Sequence, residues 1–73
     1  MVLMEEKWPT WETLADGTER YEDEIYIEYR NGNDRYHRVG GPAVIDKKNR
    51  DEQYFVNGKQ LSKEEFYKHF GGD

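Results

Sequence analysis

The chain has no cysteine. That excludes a disulfide framework, a thiolate metal site and a cysteine nucleophile. Ser62 is its sole serine, and His37 and His69 are its two histidines. Hydroxyl–imidazole catalysis has little to draw on, because Ser62 heads an S-x-x-E helix start with Glu65. The two histidines stand 32 residues apart, a separation that matches no compact ligand motif. Apolar runs are short, and none approaches the roughly 20 residues of a membrane-crossing helix. Met1-Val2-Leu3-Met4 is cut off by Glu5-Glu6 before it reaches the length of a leader's apolar core. The expectation is a cytoplasmic protein without enzymatic activity, metal or cofactor.

Basic charge is also in short supply. Sixteen acids face eleven Lys and Arg, for a net charge of −5. This argues against direct nucleic-acid binding of the ordinary basic kind and against an anionic membrane surface. Arg35, Tyr36 and Arg38, with Lys47, Lys48 and Arg50, interleave bases with aromatics as some nucleic-acid binders do. Against the charge of the whole chain they read as a solvated basic rim. The imbalance is concentrated: residues 1–30 hold nine acids and three bases, residues 31–73 seven acids and eight bases.

What the chain has is aromatic mass and hairpin chemistry. At 73 residues it is one domain (1–73), small enough to bury only about 60% of its unfolded surface. Two tryptophans, six tyrosines and three phenylalanines must supply most of the core. Residues 1–7 read as a loose N-terminus, 8–61 as a β-sheet and 62–70 as a C-terminal helix. Trp8-Pro9-Thr10-Trp11 suits an edge, since Pro9 cannot donate to a ladder. Asp16-Gly17 predicts a turn with Gly17 at positive φ.

From Glu19 to Arg30 the residues alternate with period two, which predicts one half-buried strand with a break at Asp23. Tyr21, Ile25, Ile27 and Tyr29 fall on one face of it, and Glu22, Glu24, Tyr26 and Glu28 on the other. Asn31-Gly32-Asn33 predicts a hairpin with Arg35–Val39 as the returning strand. Gly40 or Gly41 is expected at positive φ ahead of Pro42 and a strand over 43–46. Gln53–Val56 and Asn57-Gly58 predict a last hairpin. Ser62 and Glu65 form a capping box, and Phe66 and Phe70 share one helix face. The predicted core is one cluster of Ile25, Ile27, Val44, Tyr54, Val56, Leu61, Phe66 and Phe70. The fold class is α+β: a small twisted antiparallel sheet of four or five strands in a hairpin meander, with one short C-terminal helix.

Asp16-Gly17-Thr18, Tyr29-Arg30-Asn31-Gly32, His37-Arg38, Gly41-Pro42-Ala43-Val44-Ile45 and Tyr54-Phe55-Val56-Asn57-Gly58-Lys59 form a recognisable series. It spans about residues 16–60 and resembles the short β-repeats of phage and prophage proteins, which are similar to MORN-type hairpin repeats. With no second His-Arg-x-x-Gly-Pro-Ala, no long array forms. The resemblance implies a twisted antiparallel sheet and a mobile-element context, with no shared catalytic residues. It assigns His37, Arg38, Gly40, Gly41 and Pro42 to a structural motif.

The expected function is a small non-enzymatic interaction module that binds and modulates a host or phage protein. Two candidate surfaces present themselves. One is aromatic and centres on Trp8, Trp11 and Tyr26. The other is acidic: Glu22, Glu24 and Glu28 in a row, with Glu19 and Asp23 beside them. Same-face strand residues stand roughly 6.7 Å apart, so such a row imitates a phosphate backbone. The alternative function follows from it, an acidic DNA-mimic inhibitor of a nucleic-acid-handling host-defence enzyme of the anti-CRISPR or anti-restriction type. An exposed sheet edge also offers a route to a homodimer.

Overall fold

A computed structural model describes residues 8–70, so the expectation of a loose terminus over 1–7 lies outside the described residues. Strands β1 (Thr10–Thr13), β2 (Glu19–Glu22), β3 (Tyr26–Arg30), β4 (Val44–Asp46), β5 (Asp51–Val56) and β6 (Lys59–Leu61) precede helix α1 (Lys63–Phe70). Each strand pairs antiparallel with the next, giving sheet order β1-β2-β3-β4-β5-β6. The expected α+β meander is present, with six strands rather than four or five.

Asp23 accounts for the extra strand. Its Oδ1 accepts from the backbone N–H of Ile25 (2.8 Å) and Tyr26 (2.6 Å), and its own N–H donates to the Tyr26 carbonyl (2.9 Å). The side chain replaces ladder bonds and folds the chain back on itself. The expected single strand over Glu19–Arg30 is thus a hairpin of β2 and β3. Its register pairs Tyr21 with Glu28 and Glu22 with Ile27. Paired residues share a face, so Tyr21 lies with Glu28 and not with Ile27. The turn reverses the faces that uninterrupted alternation assigns.

Asn31 overturns the second expected hairpin. Its side-chain oxygen accepts from the N–H groups of Asn33 (2.9 Å) and Arg35 (3.1 Å), and Asp34 takes a positive φ of 64°. The chain leaves in a wide loop. Arg35–Val39 forms no strand, only the single bridge Arg30↔Tyr36, and β4 takes the place beside β3. Residues 36–38 then fill the space between β3 and β5 beyond the end of β4. His37 N–H donates to the Tyr29 carbonyl (2.9 Å), Arg38 N–H to the Phe55 carbonyl (3.0 Å), and Gly58 N–H to the Tyr36 carbonyl (2.8 Å).

Positive φ occurs at Gly17 (90°) and at the Asn57–Gly58 pair (51° and 84°), as the turn signals predict. Neither Gly40 nor Gly41 adopts it, which corrects that expectation. Gly41 is needed for proximity instead. A Cβ there would stand 3.1 Å from Nη1 and 3.3 Å from Cζ of Arg38.

The helix starts as its sequence predicts. Glu65 N–H donates to Ser62 Oγ (3.0 Å) and Ser62 N–H to Glu65 Oε1 (3.1 Å). Phe66 is buried and lies 4.7 Å from the Tyr54 ring between centroids, with Phe70 at 5.3 Å. The core is smaller than the predicted cluster. It consists of Tyr29, Ala43, Val44, Tyr54 and Phe66, while Ile25 and Phe70 are exposed and Ile27, Val56 and Leu61 are half-buried. Ile25 falls in the Asp23 turn, so it cannot point inward. Tyr29 of β3 lies opposite Ala43, just ahead of β4, bonded from Tyr29 N–H to the Ala43 carbonyl (2.8 Å).

The molecule measures 52 × 27 × 20 Å, with a radius of gyration of 13.9 Å. A compact domain of this length would have about 11 Å. An eight-residue helix is only about 12 Å long, and α1 packs on β5 and β6 alone. Most of the sheet is left without a covering layer.

Candidate interaction surface

Register and alternation sort the side chains. One face carries the cross-strand row Trp11, Tyr21, Glu28, Val44 and Gln53, and beside it the row Tyr26, Asp46 and Asp51. The opposite face carries Thr10, Glu22, Ile27, Ile45 and Glu52, with Tyr29 and Tyr54 by alternation. Phe66 rests on Tyr54, so α1 covers the second face at its β5–β6 end. The first, open face carries no helix among the described residues, although Val44 on it is buried.

The open face is aromatic. Trp11 is 59% exposed, and its ring centroid lies 4.7 Å from that of Tyr21. The Tyr21 hydroxyl donates to Asp23 Oδ2 (2.7 Å), which pins the ring on which Trp11 leans. Tyr26 is 39% exposed. Farther along, Tyr36 and Phe55 meet at 5.1 Å, and the Arg30 guanidinium lies 5.2 Å from the Tyr36 ring. Of the predicted aromatic anchors, Trp11 and Tyr26 therefore share this face. Trp8 stands apart from them, with Lys47 Nζ 4.3 Å from its ring centroid, and Lys47 also reaches Glu22 on the covered face.

The acidic residues are dispersed. Glu22 is bonded to Lys47 Nζ (2.5 Å) and Arg20 Nη1 (2.9 Å), and the lysine contact chiefly holds its carboxyl below the ordinary value. Asp23 is held low by the Tyr26 N–H first, then by the Tyr21 hydroxyl and the Ile25 N–H. Glu28 is paired with Arg30 Nη2 at 2.7 Å on the open face. Glu24 is exposed in the turn, and Glu19 is exposed at the start of β2. The predicted row of Glu22, Glu24 and Glu28 on one strand face does not exist. The Asp23 turn separates its members, and cations of the same chain neutralise two of them.

The His37–Pro42 segment is internally engaged. His37 Nδ1 accepts from Asn57 N–H (2.9 Å), which places the proton of the neutral ring on Nε2. Arg38 lies over the Tyr29 ring, 4.0 Å from its centroid, and its Nη1 donates to the Pro42 carbonyl (3.1 Å). Gly41 permits that approach, and Gly40 has open space around it. No group of three or more His, Asp or Glu side chains suited to a metal ion occurs among the described residues. No helix among them is long and apolar enough to cross a membrane.

Tyr21, Tyr36 and Phe55 were missed as members of the open face by sequence reasoning. Their placement depends on the Asp23 turn and on the loop that returns at Tyr36. Asp23 followed three residues on by Tyr26, at the break in the alternation, is the signal that could have found the first. No protein-family model, no curated protein and no solved structure matches this chain, so the meaning of the surface has to be argued from its own side chains.

Proposed function

We propose that the chain is a small non-enzymatic protein-interaction module that docks a partner protein on its open sheet face, with Trp11 and Tyr26 as anchors. The observation that carries this reading is a helix packed on one face of the sheet, at its β5–β6 end, while an exposed Trp11, braced by Tyr21, stands on the other. Aromatic anchors dominate most interfaces because they bury large area at little entropic cost. The resemblance to phage and prophage β-repeats adds the proposal that it is encoded by a mobile element and modulates a host or phage protein. The DNA-mimic alternative draws on the net charge of −5, but the row it needs is divided and partly neutralised.

Immobilised protein exposed to host lysate, followed by mass spectrometry, tests the reading. A partner should be lost from the Trp11→Ala/Tyr26→Ala variant and retained by Glu22→Gln/Glu24→Gln/Glu28→Gln. The reverse pattern would favour the mimic. A partner indifferent to the aromatic pair would sink the proposal.

A further inference from the structure

The chain places its own cations on its own aromatics repeatedly. Arg38 lies over Tyr29 (4.0 Å), Lys47 over Trp8 (4.3 Å) and Arg30 over Tyr36 (5.2 Å). Trp11 departs from this pattern. Among the described residues it is the most exposed large apolar side chain, and no cation of theirs lies over it. Beside it runs an open groove of about 280 Å³ lined by Trp11, Glu12, Thr13 and Glu19. Glu19, opposite Thr13 on the Trp11 face, is exposed and has no ion-pair partner among the described residues, while the Glu12 side chain belongs to the other face. The cation opposite Glu19 in register, Arg30, is spent on Glu28 and Asp34.

We infer that this groove receives an arginine side chain of the partner protein, its guanidinium laid on the Trp11 ring and paired with Glu19. An indole ring is the best of the aromatic surfaces for a cation, and the planar guanidinium both stacks and pairs with carboxylates. Charge complementarity selects the occupant: an apolar residue would satisfy Trp11 and leave the Glu19 carboxylate beside a dry contact, and an acid would be repelled. The Tyr21 ring and its bond to Asp23 fix the platform in advance, so little ordering is needed on binding. This inference deepens the docking proposal and rests on it.

The test uses the whole chain, labelled with nitrogen-15, and a hepta-arginine peptide. Its neutral control is the same peptide with citrulline, which keeps the shape and loses the charge. Shifts should centre on the Trp11 indole N–H, Tyr21, Glu12, Thr13 and Glu19, and the citrulline peptide should produce none. Trp11→Ala leaves the net charge unchanged and should abolish the shifts, while Glu19→Gln should weaken binding by up to about fivefold, one surface pair of up to about 1 kcal/mol. An unchanged thermal midpoint shows that each variant is folded. Equal affinity in Trp11→Ala would mean non-specific attraction to an acidic protein and would overturn the site. So would binding of the citrulline peptide, or no shift at Trp11. If the peptide fails while Trp11→Ala/Tyr26→Ala still loses its captured partner, the arginine assignment falls and the docking face stands. If neither depends on Trp11, both fall.

Discussion

Replacing Arg38 with methionine isolates what the His-Arg-x-x-Gly-Pro segment does for the fold. Methionine keeps most of the stem and removes the guanidinium. The variant loses a stacked contact over Tyr29 at 4.0 Å and a donor to the Pro42 carbonyl at 3.1 Å. A half-buried cation–π contact contributes about 1–2 kcal/mol, and a hydrogen bond from a charged donor about 1.5–3 kcal/mol. The two share one group and overlap, so the expected loss is roughly 2–4 kcal/mol. A domain of this length has only about 4–11 kcal/mol in total. At roughly 4–8 °C per kcal/mol the thermal midpoint should fall by about 10–30 °C. Circular dichroism melts against Arg35→Met make the comparison. Arg35 is exposed and makes no side-chain hydrogen bond or ion pair among the described residues, so its variant should stay within about 0.5 kcal/mol. An Arg38→Met midpoint within a few degrees of the parent would refute the claim that this arginine fastens residues 36–42 into the sheet.

Three further outcomes can be measured on the same instrument. Phe66→Ala should cost about 3–5 kcal/mol, since this side chain is 1% exposed against Tyr54; a near-unchanged midpoint would mean that α1 is not docked. Gly40→Ala should be neutral, having open space and ordinary φ, whereas Gly58→Ala should destabilise by about 1–2 kcal/mol because φ is 84° and the new Cβ meets Arg35 Cδ at 3.2 Å. The pH dependence follows from Asp16, Glu22, Asp23 and Asp46, all held below their ordinary values, chiefly by the Thr18 N–H, Lys47, the Tyr26 N–H and the Asn49 N–H respectively. Their stabilisation is complete above the unfolded values of about 3.9–4.3 and disappears as pH falls through the lower folded ones. The midpoint should be flat from neutral pH to about 5, drop below that, and drop less steeply in Asp23→Asn; a loss beginning near pH 6–7 would implicate other groups.

The parts of the fold legible in the sequence are those set by local chemistry. Gly17, Asn57-Gly58 and the Ser62–Glu65 box act within four residues, and each appears where its signal stands. What was not legible depends on competition between near and distant partners. Asp23 looks like a flaw in an alternating strand until its carboxylate is seen to take two backbone donors, after which the side chains beyond it change faces. Asn31 similarly defeats a hairpin signal by binding Asn33 and Arg35 N–H groups. Gly41 was read for its backbone freedom, but its role lies in a contact with Arg38 that no local pattern announces. The aromatic anchors Trp11 and Tyr26 were legible as residues, whereas their shared face was not, because it follows from the register across the Asp23 turn.

The acidic character of the chain also changes meaning once the structure is drawn. Among the described acids of the first thirty residues, Asp16 and Asp23 hold turns, and Glu22 and Glu28 are ion-paired. Glu12, Glu19 and Glu24 remain without an ion pair among the described residues. Two of these three line the groove beside Trp11, and the third is two residues from Tyr26. Screening confines an exposed charge to about 8 Å at physiological salt, so a docked cation senses these carboxylates far more than the net charge of −5. Charge of this kind raises the rate of encounter and selects the partner's sign, while a braced indole governs how long the partner stays. Removing Glu19 should therefore act more on association, and removing Trp11 more on dissociation. That division is what an interface with an aromatic anchor and an acidic rim requires; in a phosphate mimic the loss of acids would dominate and the loss of Trp11 would change little.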